Sequence, residues 1–490
     1  MPAKPFTRTL AAMLLLAMSG CSSGADETLG VVVIGEEGDP FATGARLTPA
    51  AQLVRAVTAE GLVGLDEQGR VVPALAERWI VYDDGLSYIF RLRDGLWPDG
   101  AAIDAPDAAA ALRRALAAAR GSPAGAGLED VRGIVVRAGR VVEVQLSRPN
   151  PDFLRQIAQP EFALLHKGRG TGPMKLERDG VVAALAPVAP DRRGLPRDTE
   201  WSAKVRTVRL SARGPERALA LFGEGRADVI LGGTLADYPE ARGVGFARAT
   251  VQIDPAAGLF GLEVAHESGF LADAANREAL AMAIDREALA AALDAPGWNP
   301  TTRLVAYGMG DDDGSIGERW SGRSMLERRA AAAARVREWV KVPGRPLRLR
   351  IALPPGSGAG LLFGRLAADW RAIGVEARRV GLREPADLRL LDRVARFPAK
   401  RWSLGELSCT VRRGPCSEEA DRLVRLAAQA ADPAQRLGLL SEAEAELTRA
   451  NIYIPLGAPL RWSIVRRGIT GFAPNRWAAH PLMPLATVPR

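Results

Sequence analysis

The most constraining feature of this 490-residue chain is residues 60–100, EGLVGLDEQGRVVPALAERWIVYDDGLSYIFRLRDGLWPDG. Asp83-Asp84-Gly85 is a turn signal between two runs, 78–82 and 86–93. In the second run Leu86, Tyr88, Phe90 and Leu92 alternate with Ser87, Ile89, Arg91 and Arg93. Period two beside a turn predicts a strand hairpin with one buried face, so Tyr88, Phe90 and Leu92 are expected in a core.

The rest of the chain supplies the other half of an α/β protein. Strands are expected at 29–34, 141–146, 205–210, 228–231, 347–353 and in a late strand and turn over 464–472. Helices are expected at 50–60, 105–119 with Asp104 as N-cap, 215–222, 276–293 as one long run, 324–340 and 361–373, with two more over 417–447 broken near Pro433. Strands alternating with helices argue for α/β lobes with partly parallel sheets, and a chain this long can bury several cores. Hydrophobic residues make up 47% and charged residues 25%, the balance of a soluble globular protein.

The first residues read as a leader. Lys4 and Arg8 form a basic start and 10–18 a short apolar run, too short to span a bilayer as a mature helix. Met18-Ser19-Gly20-Cys21 follows and is similar to a bacterial lipobox, which would make Cys21 the lipidated N-terminus of the mature chain. Acyl chains would hold the domain at a membrane without a spanning helix. Ser22, in place of an aspartate, leans toward the outer membrane in a double-membrane cell. Of the three cysteines, this leaves Cys409 and Cys416 as an even pair, with a Gly-Pro turn between them, and a disulfide is expected in an oxidising compartment.

Several functions are disfavoured. The net charge of +8 falls to +6 without Lys4 and Arg8, and arginines are scattered rather than blocked with aromatics, so nucleic-acid binding is not expected. Residues 168–175, GRGTGPMK, lack the Gly-Lys-Ser/Thr of a phosphate loop, and 356–360, GSGAG, lack the dinucleotide-loop spacing and read as a tight turn into a helix. Only three histidines are present, His166, His266 and His480, and no G-x-S-x-G elbow. Neither a metal nor a cofactor is expected, and the chain is not expected to be an enzyme.

The order of motifs resembles one family. Residues 60–100 are similar to the "GL…D..G...P.LAE.W....DG..Y.F.LR.G…DG" pattern of solute-binding proteins of peptide-type ABC importers, family 5. Gly170-Thr171-Gly172-Pro173 resembles that family's crossing between lobes. Residues 277–287 resemble its "R.AL..AIDRE" helix, and 366–375, 451–456 and 467–472 resemble its later segments. The resemblance implies a type II periplasmic-binding-protein fold: two large α/β lobes with a smaller lobe inserted in the first. It places the first lobe at 21–48, 168–252 and 462–490, the small lobe at 49–167, the second lobe at 253–461, and a leader at 1–20. It implies a monomeric, membrane-anchored periplasmic or cell-surface carrier that captures a peptide or related solute by closing on it and hands it to permease and ATPase subunits. The alternative is a repurposed lipoprotein of the same fold acting as a sensor, chaperone or assembly factor; a hydrolase ranks below both.

In that family a "W..DYPDP"-like segment carries an acid that pairs with the ligand's amino group. Here Phe397-Pro398 stands in place of Tyr-Pro, the acids are missing, and Arg396, Lys400 and Arg401 surround it. The expectation is a ligand without a free amine, such as an acidic small molecule, held by Arg396 and Arg401 with Phe397 and Trp402 as stacking faces. Thr43 and Gly44, in the loop after the first strand, are the candidates on the opposite lobe.

Overall fold

The computed structural model describes residues 28–243, 251–341 and 347–488. The leader and Cys21 lie outside them. Three antiparallel or mixed sheets, plus a two-stranded ribbon, organise the chain into two large lobes and a small one.

The first large lobe is built on a seven-stranded sheet ordered Val251–Asp254, Arg461–Val465, Val229–Thr234, Leu29–Ile34, Val208–Arg213, Val182–Pro187, Met174–Asp179. Leu29–Ile34 runs parallel to both its neighbours and is nearly all apolar, as a strand covered on two faces must be. The second large lobe has a five-stranded sheet ordered Val375–Val380, Leu347–Ala352, Leu388–Val394, Gly258–Val264, Tyr453–Gly457. First and late strands thus share one sheet.

The small lobe holds the opening motif. Ala76–Tyr82 and Ser87–Leu92 form the expected hairpin, extended by Val141–Leu146 and Val131–Val136 into an antiparallel sheet. Tyr88, Phe90 and Leu92 are buried in its core against helix Ala105–Ala119. Asp104 caps that helix, its carboxylate accepting the Asp107 N–H at 2.9 Å. The motif also rivets the small lobe to the first large one. Glu60, 8% exposed, accepts from Arg93 at 2.5 Å, from Thr171 at 2.9 Å and from Arg193 at 2.6 Å. Buried charges are tolerated when paired in this way.

The run expected as one helix over 276–293 is two, Ala274–Ala283 and Arg286–Leu293. The break is Asp285. Its carboxylate caps the second helix by accepting the Ala288 N–H at 3.0 Å, and its own N–H donates to Asp369 at 3.0 Å. An aspartate inside a helical pattern competes for backbone donors. Helix Ser357–Arg371 starts earlier than the expected 361, directly after Gly356.

That helix start is where the large lobes touch. A Cβ on Gly358 would lie 1.9 Å from the Leu235 carbonyl oxygen of the first lobe, and one on Gly356 2.3 Å from that of Ala236. Gly356 also has φ +114°, a conformation that favours glycine. The glycines read as a turn thus serve a close approach between lobes. Gly358→Ala is expected to lower the unfolding free energy by about 1–3 kcal/mol in urea titration. Gly364→Ala, in open space on the same helix, should be neutral or stabilising by up to about 1 kcal/mol.

Candidate functional site

The chain passes between the large lobes twice. Val251–Asp254 belongs to the first sheet and Gly258–Val264 to the second, with 255–257 between them; Tyr453–Gly457 returns to Arg461–Val465 through 458–460. Both crossings are pinned by polar contacts. Asp254 accepts the Asn475 N–H at 2.9 Å and lies 3.1 Å from His480 Nε2. His480 and Asp254 are buried, and the imidazole stacks on Phe472 at 4.5 Å between ring centroids. On the second crossing, Arg461 pairs with Asp392 at 2.8 Å.

The loop over 473–480 joins all three lobes. The Arg476 carbonyl accepts from Ala257, and the Arg476 guanidinium donates to the Gly308 carbonyl at 2.9 Å. Asn475 Nδ2 donates to the Glu67 carbonyl at 3.2 Å, and the Arg155 guanidinium sits 3.9 Å over the Trp477 ring. Burial lowers the Arg155 pKa to about 10. Sequence reasoning missed Asn475, Arg476 and Trp477. Their partners lie far away in the chain, and nothing local marks them.

Beside both crossings is a cavity of about 430 Å³, walled by Trp298, Leu304 and Tyr307 with Arg303 and Arg476. Arg303 is 3% exposed, pairs with Asp312 at 2.6 Å and stacks on Tyr307 at 4.1 Å. Arg476 pairs with no carboxylate among the described residues; its guanidinium has the Gly308 carbonyl and the Trp477 ring, 5.1 Å away. A second cavity, of about 410 Å³, lies against the Glu60 cluster between the small and first lobes. Its arginines are already shared with Glu60, and it does not touch the crossings.

The structure gathers residues 396–402 at the boundary with the small lobe. Arg396 pairs with Glu161 at 3.1 Å and Arg401 with Asp152 at 3.1 Å. Phe397 is 4% exposed, with the Arg401 guanidinium 4.9 Å over its ring, and Trp402 is 3% exposed within the second-lobe core. Their ring faces are therefore covered by protein. Lys400 is fully buried and bonded to Asp313 at 3.1 Å, Ser441 at 2.9 Å and Glu444 at 3.2 Å. Burial pushes the Glu444 carboxyl up despite that lysine. Thr43 and Gly44 lie in an exposed bend of the first lobe, Gly44 at φ +93° with open space around it. Cys409 and Cys416 are joined in a disulfide, Cα atoms 5.1 Å apart.

One constellation has the residue types of a hydrolase. Ser268 Oγ lies 2.8 Å from His266 Nδ1, and His266 Nε2 lies 2.8 Å from Asp387. Asp387 is also held by Arg350, by side chain and by backbone N–H. Neither of these two cavities reaches this group, and the bonds from Arg350 to Asp387 tie together the ends of strands Leu347–Ala352 and Leu388–Val394. Burial raises the Asp387 pKa, but the bonds from Arg350 and His266 outweigh it and hold the carboxyl below its ordinary value. A depressed carboxyl stabilises the fold above its unfolded pKa, near about 3.9, and the benefit disappears as pH falls through the folded value. Asp387→Asn is therefore expected to lower the urea midpoint at pH 7, with the gap to the parent closing below about pH 4.

Among the described residues no group of three or more His, Cys, Asp or Glu is placed to hold a metal ion, and no helix is long and apolar enough to cross a membrane.

Two α/β lobes joined by paired crossings, with a small lobe inserted in the first, define a type II periplasmic-binding-protein fold. The chain belongs to the bacterial extracellular solute-binding proteins, family 5, whose model matches residues 70–335. It is 40% identical over 129 residues to the probable deoxycholate-binding periplasmic protein of Escherichia coli K12, covering 23% of this chain and 24% of that protein. It is 29% identical over 175 residues to a glutathione-binding protein of Escherichia coli O1:K1, covering 35% and 32%. These matches span about a quarter to a third of each relative. Among solved structures, the Haemophilus influenzae OppA complex with RPPGFSPFR superposes with a TM-score of 0.80 at 17% identity, covering 95% of this chain and 100% of that one. The murein tripeptide binding protein MppA of Escherichia coli gives 0.80 at 18%, covering 95% and 99%. These relatives are named as binding proteins, not enzymes.

Proposed function

We propose that this protein is the lipid-anchored solute-binding component of an ABC importer, that it captures a small organic acid with an apolar body, and that it passes the acid to a permease. The family supports the carrier role, because its members are extracellular binding proteins. The observation that carries the ligand class is the cavity beside both crossings, where Trp298, Leu304 and Tyr307 offer apolar surface and Arg476 offers a guanidinium with no carboxylate partner among the described residues. Pockets of this kind, mostly apolar with a few placed polar groups, are the usual form of a small-molecule site. Deoxycholate and glutathione, named for two relatives, both bear carboxylates.

In this reading the Arg476 guanidinium takes the ligand carboxylate, and the aromatic walls take the apolar body. The cavity touches 255–257 and 458–460, so a ligand there contacts the segments that must bend when the lobes move. Its binding free energy then shifts an open–closed equilibrium, by no more than its difference in affinity for the two states. Thr43 and Gly44 lie outside this cavity's lining, and Cys21 holds the carrier at the membrane.

Isothermal titration with bile acids, fatty acids, glutathione and ordinary oligopeptides tests this. Organic acids are expected to bind with micromolar Kd, and Arg476→Met to weaken them about tenfold or more, as loss of a charge-assisted bond does. Tight binding of oligopeptides, unchanged by Arg476→Met, would contradict the ligand class.

A further inference from the structure

Three aromatic residues border the cavity beside the crossings, Trp298, Tyr307 and Tyr453. Trp298 and Tyr453 are buried, whereas Tyr307 is 58% exposed. An exposed ring holds its place only with support, and Tyr307 has support on two sides. The Arg303 guanidinium lies over one ring face, 4.1 Å from the centroid. Arg303 is itself locked, its side chain 1% exposed and paired with Asp312 at 2.6 Å. The Tyr307 hydroxyl donates to Glu318 Oε1 at 3.1 Å. Glu318 is fixed in turn, accepting the Thr301 hydroxyl and the Thr302 N–H, each at 2.6 Å. Burial raises the Glu318 carboxyl, but these bonds outweigh it and hold the group below its ordinary value, so it stays an acceptor at neutral pH.

A ring stacked on one face and tied by its hydroxyl has little rotamer freedom left to lose when a ligand arrives. The carboxylate partner stands next to it. Arg476 Nη2 donates to the carbonyl of Gly308, the residue after Tyr307, at 2.9 Å. Arg476 Nε is buried and makes no hydrogen bond among the described residues, and a donor left in that state carries a desolvation cost that an arriving acceptor removes. From this juxtaposition we infer that the cavity selects acids whose carboxylate is joined by a short link to a flat aromatic ring, with Tyr307 making the selection and Glu318 as a positioning residue acting through it. The inference rests on Arg476 as the carboxylate partner proposed above. Burial of apolar surface alone ranks a saturated ring at least equal to a flat one of the same carbon count. Ring-on-ring contact adds to burial only for the flat one, so a preference for the flat ring is the signature of the platform.

Isothermal titration with 3-phenylpropanoate and 3-cyclohexylpropanoate, acids of equal charge and carbon count, tests this. The wild type is expected to bind the phenyl acid about threefold or more tightly than the cyclohexyl acid. Tyr307→Leu should bring that ratio to one or below. Glu318→Gln should lower it as well, whereas a purely structural role for Glu318 would weaken both acids alike and leave the ratio unmoved. Should Glu318→Gln fail to fold, Tyr307→Phe, which keeps the ring and releases only the hydroxyl, gives the same reading. Equal or tighter binding of the cyclohexyl acid by the wild type overturns the selection, as does a ratio unchanged in Tyr307→Leu. In both cases the carboxylate reading stands if Arg476→Met still weakens the two acids. If neither acid binds the wild type, both readings fall together.

Discussion

Everything functional in this molecule hangs on two short crossings, 255–257 and 458–460, that join its large lobes. Among the described residues they are the only covalent links between the two large sheets, and each is anchored at one end. Asp254 is fastened by Asn475 and His480, and Asp392 by Arg461. A buried carboxylate such as Asp254 must be paired or it costs several kcal/mol, so its partners fix that end of the first crossing in place. The cavity with Arg476 lies against the crossing residues themselves. A ligand at that position would touch both crossings at once.

Arginine is the commonest polar tool in this chain, and the structure uses it in three ways. Some arginines are rivets, such as Arg93 and Arg193 on Glu60. Others bridge lobes, as Arg396 and Arg401 do. Arg476 has a carbonyl and an aromatic ring but no carboxylate among the described residues, and it borders the cavity. The modest net charge is therefore no guide to the site, because arginines such as Arg93, Arg396 and Arg401 are neutralised by partners supplied from elsewhere in the fold.

Local features were legible in the sequence. The period-two run over 86–93, the Asp104 cap and strand Leu29–Ile34 depend on neighbours within a few residues, and the structure has them where the pattern puts them. Asp285 was misread because a cap inside a helical pattern looks like one more exposed position. The partners of Arg396, of Gly358 and of Asp254 were illegible. Glu161 lies 235 residues from Arg396, and the Leu235 carbonyl, unlike a side chain, leaves no trace in the sequence. Phe397 and Trp402 show the same limit, since an aromatic residue beside arginines reads equally as a stacking platform or as core.

The central proposal for this protein is a carrier whose cavity beside the crossings holds an organic acid. Native mass spectrometry of protein purified without unfolding tests that most directly. A bound small acid is expected, released on unfolding and lost from Arg476→Met. Protein that is free of any adduct, or that retains an oligopeptide equally in both forms, would contradict it.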